Sequence, residues 1–374
     1  MSDRIVHLDL STEWAEVSSD VEAAVLRVLR SGQYVLGPET VALERDIAAL
    51  AGTRHGVGVG SGTEALLLAL RALDVGPGDE VVTTGFTYFA TVEAILWLGA
   101  RPVFVDIERD SFLLDPARVE AAITPRTKAI LPVHLYGRCA DMTRILLAAD
   151  AHGIPVVEDA AQAIGARRAG RSAGGFGRLG CFSFYPSKNL GAAGDGGCIT
   201  TDDDALAERL RLLRAHGCKE RDYHRELGTT SRLDSLQAAV LRAKLPRLEG
   251  WAEARRRVAR RYEELLADVP GVALPGAGAD EAPVWNQYTI RCEEPARVRA
   301  ALDADRIEWR QYYPLPAYRQ EALGAWMLPE GACPEVEQAC RQVLSLPIYP
   351  ALPDAAIERV ARAVRRGAKA GAAA

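Results

Sequence analysis

The 374-residue sequence predicts an α/β protein: a large domain with a mostly parallel, mixed central sheet flanked by helices, and a smaller C-terminal α+β domain. Between positions 55 and 159 short apolar runs suited to strands alternate with stretches of helical spacing, the pattern of a sheet covered on both faces. Hydrophobic residues make up 48% of a chain longer than one typical domain, so two cores are within reach. Pro270-Gly271 and Pro275-Gly276, followed by small residues as far as Pro283, mark a seam late in the chain.

In order, Val21 to Leu29 has helical apolar spacing behind Ser18-Ser19-Asp20, a capping signal. A second helix is predicted from Glu39 to Ala51. Strands are predicted at His55 to Gly60, Glu80 to Thr83, Pro102 to Asp106, Ala129 to Val133 and Pro155 to Asp159. Helices separate them at Glu64 to Leu73, Ala90 to Leu98, Pro116 to Ile123 and Asp141 to His152. Ser235 to Lys244 and Glu253 to Leu266 read as longer helices, and the domain boundary is placed near Leu245, dividing 1–245 from 246–374. Trp285 to Arg291 is predicted as the first strand of the smaller domain, which closes on a helix from Ala355 to Arg366. Ligands in such folds collect at the carboxyl ends of the strands.

A net charge of -5 with both signs interspersed gives no footprint for nucleic acid or an anionic membrane surface. The 7 cysteines form no CxxC pair, so neither a disulfide framework nor a metal site is expected. With no basic, apolar leader and no apolar run long enough to span a bilayer, a cytoplasmic location is the expectation.

Three stretches carry candidate chemistry. Phe182-Ser183-Phe184-Tyr185-Pro186-Ser187-Lys188-Asn189-Leu190-Gly191 holds a lysine between an aromatic-rich strand and a glycine-rich turn, where its amine can be desolvated and form a Schiff base. Upstream, the strand of Val156-Val157-Glu158-Asp159 ends in a carboxylate, with Gln162 three residues on. Gly60-Ser61-Gly62-Thr63-Glu64 leaves a strand and opens a helix, so free amides and a positive helix end meet at one point, suited to a phosphate. Each has a plainer reading: a surface lysine, a helix-capping aspartate with a solvated glutamine in a first helical turn, and an ordinary strand-to-helix turn. Together they are the minimum set for gripping pyridoxal 5'-phosphate. Asp159 would keep the ring nitrogen protonated, because an adjacent negative charge favours the charged form. Phe86 or Tyr88 could stack on the ring.

With these stretches, and with Gly32-Gln33-Tyr34-Val35-Leu36-Gly37-Pro38-Glu39, Phe86-Thr87-Tyr88-Phe89-Ala90-Thr91 and Ser231-Arg232-Leu233-Asp234-Ser235-Leu236-Gln237, the sequence resembles the DegT/DnrJ/EryC1/StrS family of pyridoxal-phosphate aminotransferases over nearly its whole length. The resemblance implies the fold of aspartate aminotransferase, an internal aldimine on Lys188, Asp159 at the pyridine nitrogen, Gln162 at the ring hydroxyl and Tyr88 stacked on the ring. It gives the phosphate to Gly62, Thr63 and Ser183, with a further contact from the partner of a homodimer at a family asparagine whose place Thr230 takes here. It also implies transfer of an amino group from L-glutamate or L-glutamine to a keto group of a nucleotide-linked sugar, most similar to the branch acting on 3-keto sugars, with a 4-keto sugar or a cyclitol ketone as alternatives. Arg232, Lys219 and Tyr312 are the substrate-side candidates; a histidine often stands where Tyr312 does. A dehydratase of the family would carry histidine at position 188. A non-catalytic cofactor-binding regulator is the alternative of another class. His134 reads slightly better as a satisfied core histidine than as a site residue.

Overall fold

The computed structural model describes residues 4–220 and 222–369. Its central sheet is built from β1 (His55–Val59), β2 (Glu80–Thr84), β3 (Arg101–Val105), β4 (Thr127–Ile130), β5 (Val157–Asp159), β6 (Leu179–Ser183) and β7 (Gly197–Thr201). The order across it is β3-β2-β4-β5-β6-β7-β1, the two halves joined by parallel bridges from Ile130 to Val156 and from Val133 to Asp159. β7 alone runs antiparallel to its neighbours. β2, β5 and β7 are buried along their whole length, as strands covered on both faces must be.

The register of this sheet positions the site. Asp159 at the end of β5 lies beside Cys181, two residues before β6 ends at Ser183. Ser183 pairs with Gly197, and Gly197 with Val59, so the ends of β6 and β1 fall in one row at the same edge. The chain leaving β1 therefore passes directly over Ser183.

Helices α1 (Leu10–Ser31), α2 (Pro38–Ala51), α3 (Gly62–Ala72), α4 (Ala90–Trp97), α5 (Met142–Ala151), α6 (Asp204–Leu213) and α7 (Ser235–Lys244) pack around the sheet. α1 begins well before the expected Ser18-Ser19-Asp20 cap. Its N-cap is Asp9, whose carboxylate accepts from the Ser11 amide, and Glu13, Val17, Val21, Ala24 and Val28 form one continuous buried stripe. Polar residues on the exposed side of such a stripe do not end a helix whose packing face continues. The helix expected at Pro116 to Ile123 is two short 3₁₀ turns, Pro116–Arg118 and Glu120–Ala122. Residues 160–166, where a helical turn was expected to present Gln162, are consecutive tight turns closed by Ala163 N–H to Ala160 C=O and Ala166 N–H to Ala163 C=O, both 2.9 Å.

A long helix, α8 (Leu248–Leu266), leads to the strands β8 (Val272–Ala273), β9 (Tyr288–Cys292) and β10 (Val343–Leu346), which form an antiparallel sheet. With α9 (Pro295–Ala304), α10 (Pro334–Gln342) and α11 (Asp354–Lys369) they build the C-terminal unit. Val258, Tyr262, Tyr288, Ile290, Leu344, Val360 and Val364 centre a second core, which Ile5 at the start of the chain also enters. Among the described residues no helix is long and apolar enough to cross a membrane.

Next to Asp159, the Glu158 carboxylate is fully buried and accepts four hydrogen bonds: His134 Nε2–H at 2.8 Å and the amides of Gly174 (2.7 Å), Phe176 (2.7 Å) and Gly177 (2.6 Å). Because His134 Nδ1 accepts from the Ala140 amide at 3.0 Å, the proton is on Nε2, and His134 is the satisfied core histidine that its sequence context favoured. This hub ties the loop before β6 to the strand that presents Asp159. Glu158→Gln replaces an all-acceptor group by one with donors facing donors. It is expected to lower stability by about 3–5 kcal/mol, read as a fall in the urea midpoint; a midpoint like that of a surface substitution would refute the role.

Candidate active site

The site is assembled where β1, β5 and β6 end. Leaving β1, Ser61 caps α3, its hydroxyl accepting from the Glu64 amide at 3.1 Å. The first-turn amides of Gly62 and Thr63 have no acceptor within the helix. A Cβ at position 62 would lie 2.5 Å from the Ser183 Cβ, so only glycine lets this helix end come down onto the hydroxyl of Ser183. Two free amides, a positive helix end and a hydroxyl thus converge on one point, which suits an anion.

Across the strand ends, Asp159 is 5% exposed. Thr91, in the first turn of α4, donates to its Oδ2 at 2.7 Å, and the Ala161 amide donates to Oδ1 at 3.2 Å. Thr87 lies one turn before Thr91, the two hydroxyl oxygens 2.7 Å apart. Burial pushes the Asp159 carboxyl above the ordinary range, against the pull of the Thr91 and Ala161 donors and of Lys188.

Lys188 sits in a turn closed by its own N–H to the Tyr185 carbonyl at 2.8 Å. The next residue, Asn189, is buried; its Nδ2 donates to the Val284 carbonyl at 2.8 Å, and Asn286 Nδ2 donates to its Oδ1 at 2.9 Å. On the other side the Lys244 ammonium donates to the Gly191 carbonyl at 2.8 Å. The lysine-bearing loop is therefore held by both halves of the chain. Burial lowers the Lys188 amine to about 8, partly opposed by the charge of Asp159.

Gln162 is locked from both ends of its amide: Oε1 accepts from the Tyr136 N–H at 2.7 Å and Nε2 donates to the Tyr313 hydroxyl at 3.1 Å. Of the two aromatic candidates, Phe86 is in the core at 1% exposure, whereas Tyr88 is 63% exposed, its ring 6.3 Å from that of Tyr313. Tyr88 is the one free to cover a ligand.

The substrate-side candidates are more dispersed. Arg232 is half-buried and has no hydrogen-bond or ion-pair partner among the described residues. It follows Ser231, whose hydroxyl donates to Glu64 at 3.0 Å and accepts from the Gly60 amide at 3.3 Å, so it stands beside the anion cradle. Lys219 is exposed and ion-paired with Glu208. Thr230 is exposed, its hydroxyl 2.5 Å from His216 Nε2. The Tyr312 carbonyl accepts from the Tyr136 hydroxyl, and its ring lies 6.1 Å from that of His7.

Sequence reading gave no role to Thr91, Tyr313, Asn189 or Asn286. Thr87 and Thr91 carried no clear signal, since Thr87 lies in the loop before α4 and meets Thr91 only through the turn that leads into the helix. Tyr313 and Asn286 carried none, because their relation to Gln162 and Asn189 arises only when the C-terminal unit folds back.

The chain can be compared with known proteins. Residues 16–365 match the model of the DegT/DnrJ/EryC1/StrS aminotransferase family. A dTDP-3-amino-3,4,6-trideoxy-alpha-D-glucose transaminase of Streptomyces venezuelae is 48% identical over 98% of this chain and 97% of its own. A UDP-N-acetyl-3-dehydro-alpha-D-glucosamine 3-aminotransferase of Acidithiobacillus ferrooxidans is 46% identical, covering 96% of each. The crystal structure of S. venezuelae DesV in complex with a ketimine intermediate superposes with a TM-score of 0.96 at 48% identity, over 98% of this chain and 99% of that one.

The amine itself gives a direct test. Acylation of Lys188 in the cofactor-free chain, followed by peptide mapping over a pH series, is expected to show a midpoint near 8, because burial favours the neutral amine. A midpoint like that of an exposed lysine, about 10.4, would show the amine to be solvated.

Proposed function

The chain belongs to the DegT/DnrJ/EryC1/StrS aminotransferase family, and from that premise we propose that it moves an amino group from L-glutamate to the 3-keto group of a nucleotide-linked sugar, as a homodimer. It is a pyridoxal-phosphate aminotransferase acting on nucleotide sugars; the donor, the keto position and the dimer are our reading.

The residues fit the cofactor. The cradle at the start of α3 suits a phosphate, and Gly62 is there because any side chain would close it. A buried carboxylate short of counter-charge suits a cationic ring nitrogen, and Asp159 is one. Gly62, Thr63 and Ser183 would hold the phosphate, Asp159 the ring nitrogen, Gln162 the ring hydroxyl, Tyr88 the open face, and Lys188 the aldehyde carbon. When bound, pyridoxal 5'-phosphate supplies an electron-withdrawing ring that stabilises negative charge at a carbon losing its proton.

The chain supplies the rest. Lys188 Nζ, neutral for a useful fraction near physiological pH, takes the proton from the α-carbon of the amino donor. In the second half reaction it delivers a proton to the former carbonyl carbon of the sugar. Arg232, without a partner among the described residues, would bind an anionic part of the substrate, where a fork of donors suits a diphosphate. The 3-keto assignment is supported by the activities of the two relatives, both on carbon 3 of the sugar, one dTDP-linked and one UDP-linked. A dimer is supported by the exposure of Tyr185 (55%) on the Lys188 loop, a large ring that a second copy would cover.

The observation that carries the reading is the buried Asp159 facing a desolvated Lys188 beside the α3 anion cradle. Lys188→Ala is expected to reduce turnover of a 3-keto sugar nucleotide with L-glutamate by at least about 10⁴-fold, with an unchanged circular dichroism spectrum. Retained turnover would refute the assignment. In the same assay L-glutamine replacing L-glutamate would correct the donor, turnover confined to 4-keto substrates would correct the position, and a monomer in sedimentation would remove the dimer.

A further inference from the structure

Thr87, just before α4, and Thr91, in its first turn, place two hydroxyls in line with Asp159. Thr91 is fully buried, Thr87 nearly so, and Thr91 spends its single hydroxyl proton on Asp159. The Thr91 oxygen then accepts, and Thr87 donates to it, so the chain runs from Thr87 through Thr91 to the carboxylate. Its direction is fixed only while Asp159 is ionised. A protonated carboxyl could itself donate and reverse the relay.

We propose that Thr91 is a positioning residue for Asp159: its hydroxyl, oriented by Thr87, holds the buried carboxylate ionised and in one rotamer, ready to face a cationic ring nitrogen. The last clause rests on the proposed function, whereas the coupling of Thr91 to Asp159 does not. The other groups whose charge Asp159 feels or affects are Lys188 on its loop, His134 after β4, Cys181 on β6 and Tyr313. Of these Lys188 and His134 favour the ionised form, but His134 is committed to Glu158 and Lys188 is itself lowered by burial. Among the described residues the hydroxyl is thus the only uncharged side-chain donor holding the charge. Tyr88 lies in the loop between Thr87 and α4, so one short segment would set both the ring's cover and its acid partner.

The test uses the cofactor-free full chain first. Burial already raises the Asp159 pKa, and removing its donor raises it further. A carboxyl raised further in the variant costs it nothing relative to the parent at a pH where the folded group is protonated in both chains, and the full difference where it is ionised in both. Thr91→Val should therefore lose more stability at about pH 8 than at about pH 3.5, below the ordinary aspartate value, by roughly tenfold in the folding equilibrium constant, read from urea midpoints. Thr91→Ser should follow the parent chain, and in an Asp159→Asn background Thr91→Val should have a pH-independent effect. A deficit equal at every pH, or unchanged by Asp159→Asn, would overturn the proposal.

With pyridoxal 5'-phosphate bound, Thr91→Val should also move the pH midpoint of the visible absorbance band, and Thr91→Ser should restore it. An unmoved midpoint would overturn the functional half. Absence of any such band in the parent chain would instead sink the proposed function, leaving the Thr91–Asp159 coupling to stand or fall on the cofactor-free data.

Discussion

Burying a carboxylate without an equal and adjacent cation is costly, and a protein tolerates it only where the surroundings are built to hold the charge. Asp159 is such a group. Its neighbours answer the cost in small parts: a hydroxyl from α4, an amide from the following turn, and a lysine whose own charge burial weakens. None of these completes the compensation, since the carboxyl remains above its ordinary range. The deficit is what suits the site to a cation.

The sheet makes this possible through order alone. Placing β5 beside β6, and β1 two strands away across β7, brings an acid, a hydroxyl and a helix start to one edge without any loop having to reach far. The glycine at position 62 matters for the same reason. Two strand ends in one row leave no room for a side chain between them, so the anion cradle has its backbone exposed by geometry, not by a flexible loop.

Much of this could be read before the structure. Strands β1, β2, β3 and β5 fall where short apolar runs predicted them, whereas β4 begins two residues before the predicted Ala129 and ends at Ile130, short of the predicted Val133. The placement of Asp159 and Ser183 at strand ends, and of Gly62 at the helix start after β1, was legible because each lies within a few residues of a turn signal. The start of α1 was not, since Ser18-Ser19-Asp20 resembles a cap in isolation and only the buried stripe beneath it shows the helix running through. Nor was the choice between Phe86 and Tyr88, two aromatics two residues apart, of which the backbone turns one inward and one out. The contacts from the C-terminal unit were beyond reach for a different reason. Asn189 to Asn286 and Gln162 to Tyr313 join positions about a hundred or more residues apart in chain, and no local pattern encodes such a meeting.

Burial acts on the two ionisable groups in opposite senses, raising the acid and lowering the base, so in the cofactor-free chain each is drawn towards neutrality. Their mutual attraction restores part of both charges, which makes them a coupled pair whose protonation answers to whatever cation lies between them. A pyridinium nitrogen placed beside Asp159 would satisfy that carboxylate and relieve Lys188 of the task. The amine would then be freer to lose its proton, so occupation of the acid's side of the site favours the neutral base that the chemistry needs at the other. Loading the cofactor and activating the lysine are, on this account, two consequences of one electrostatic deficit.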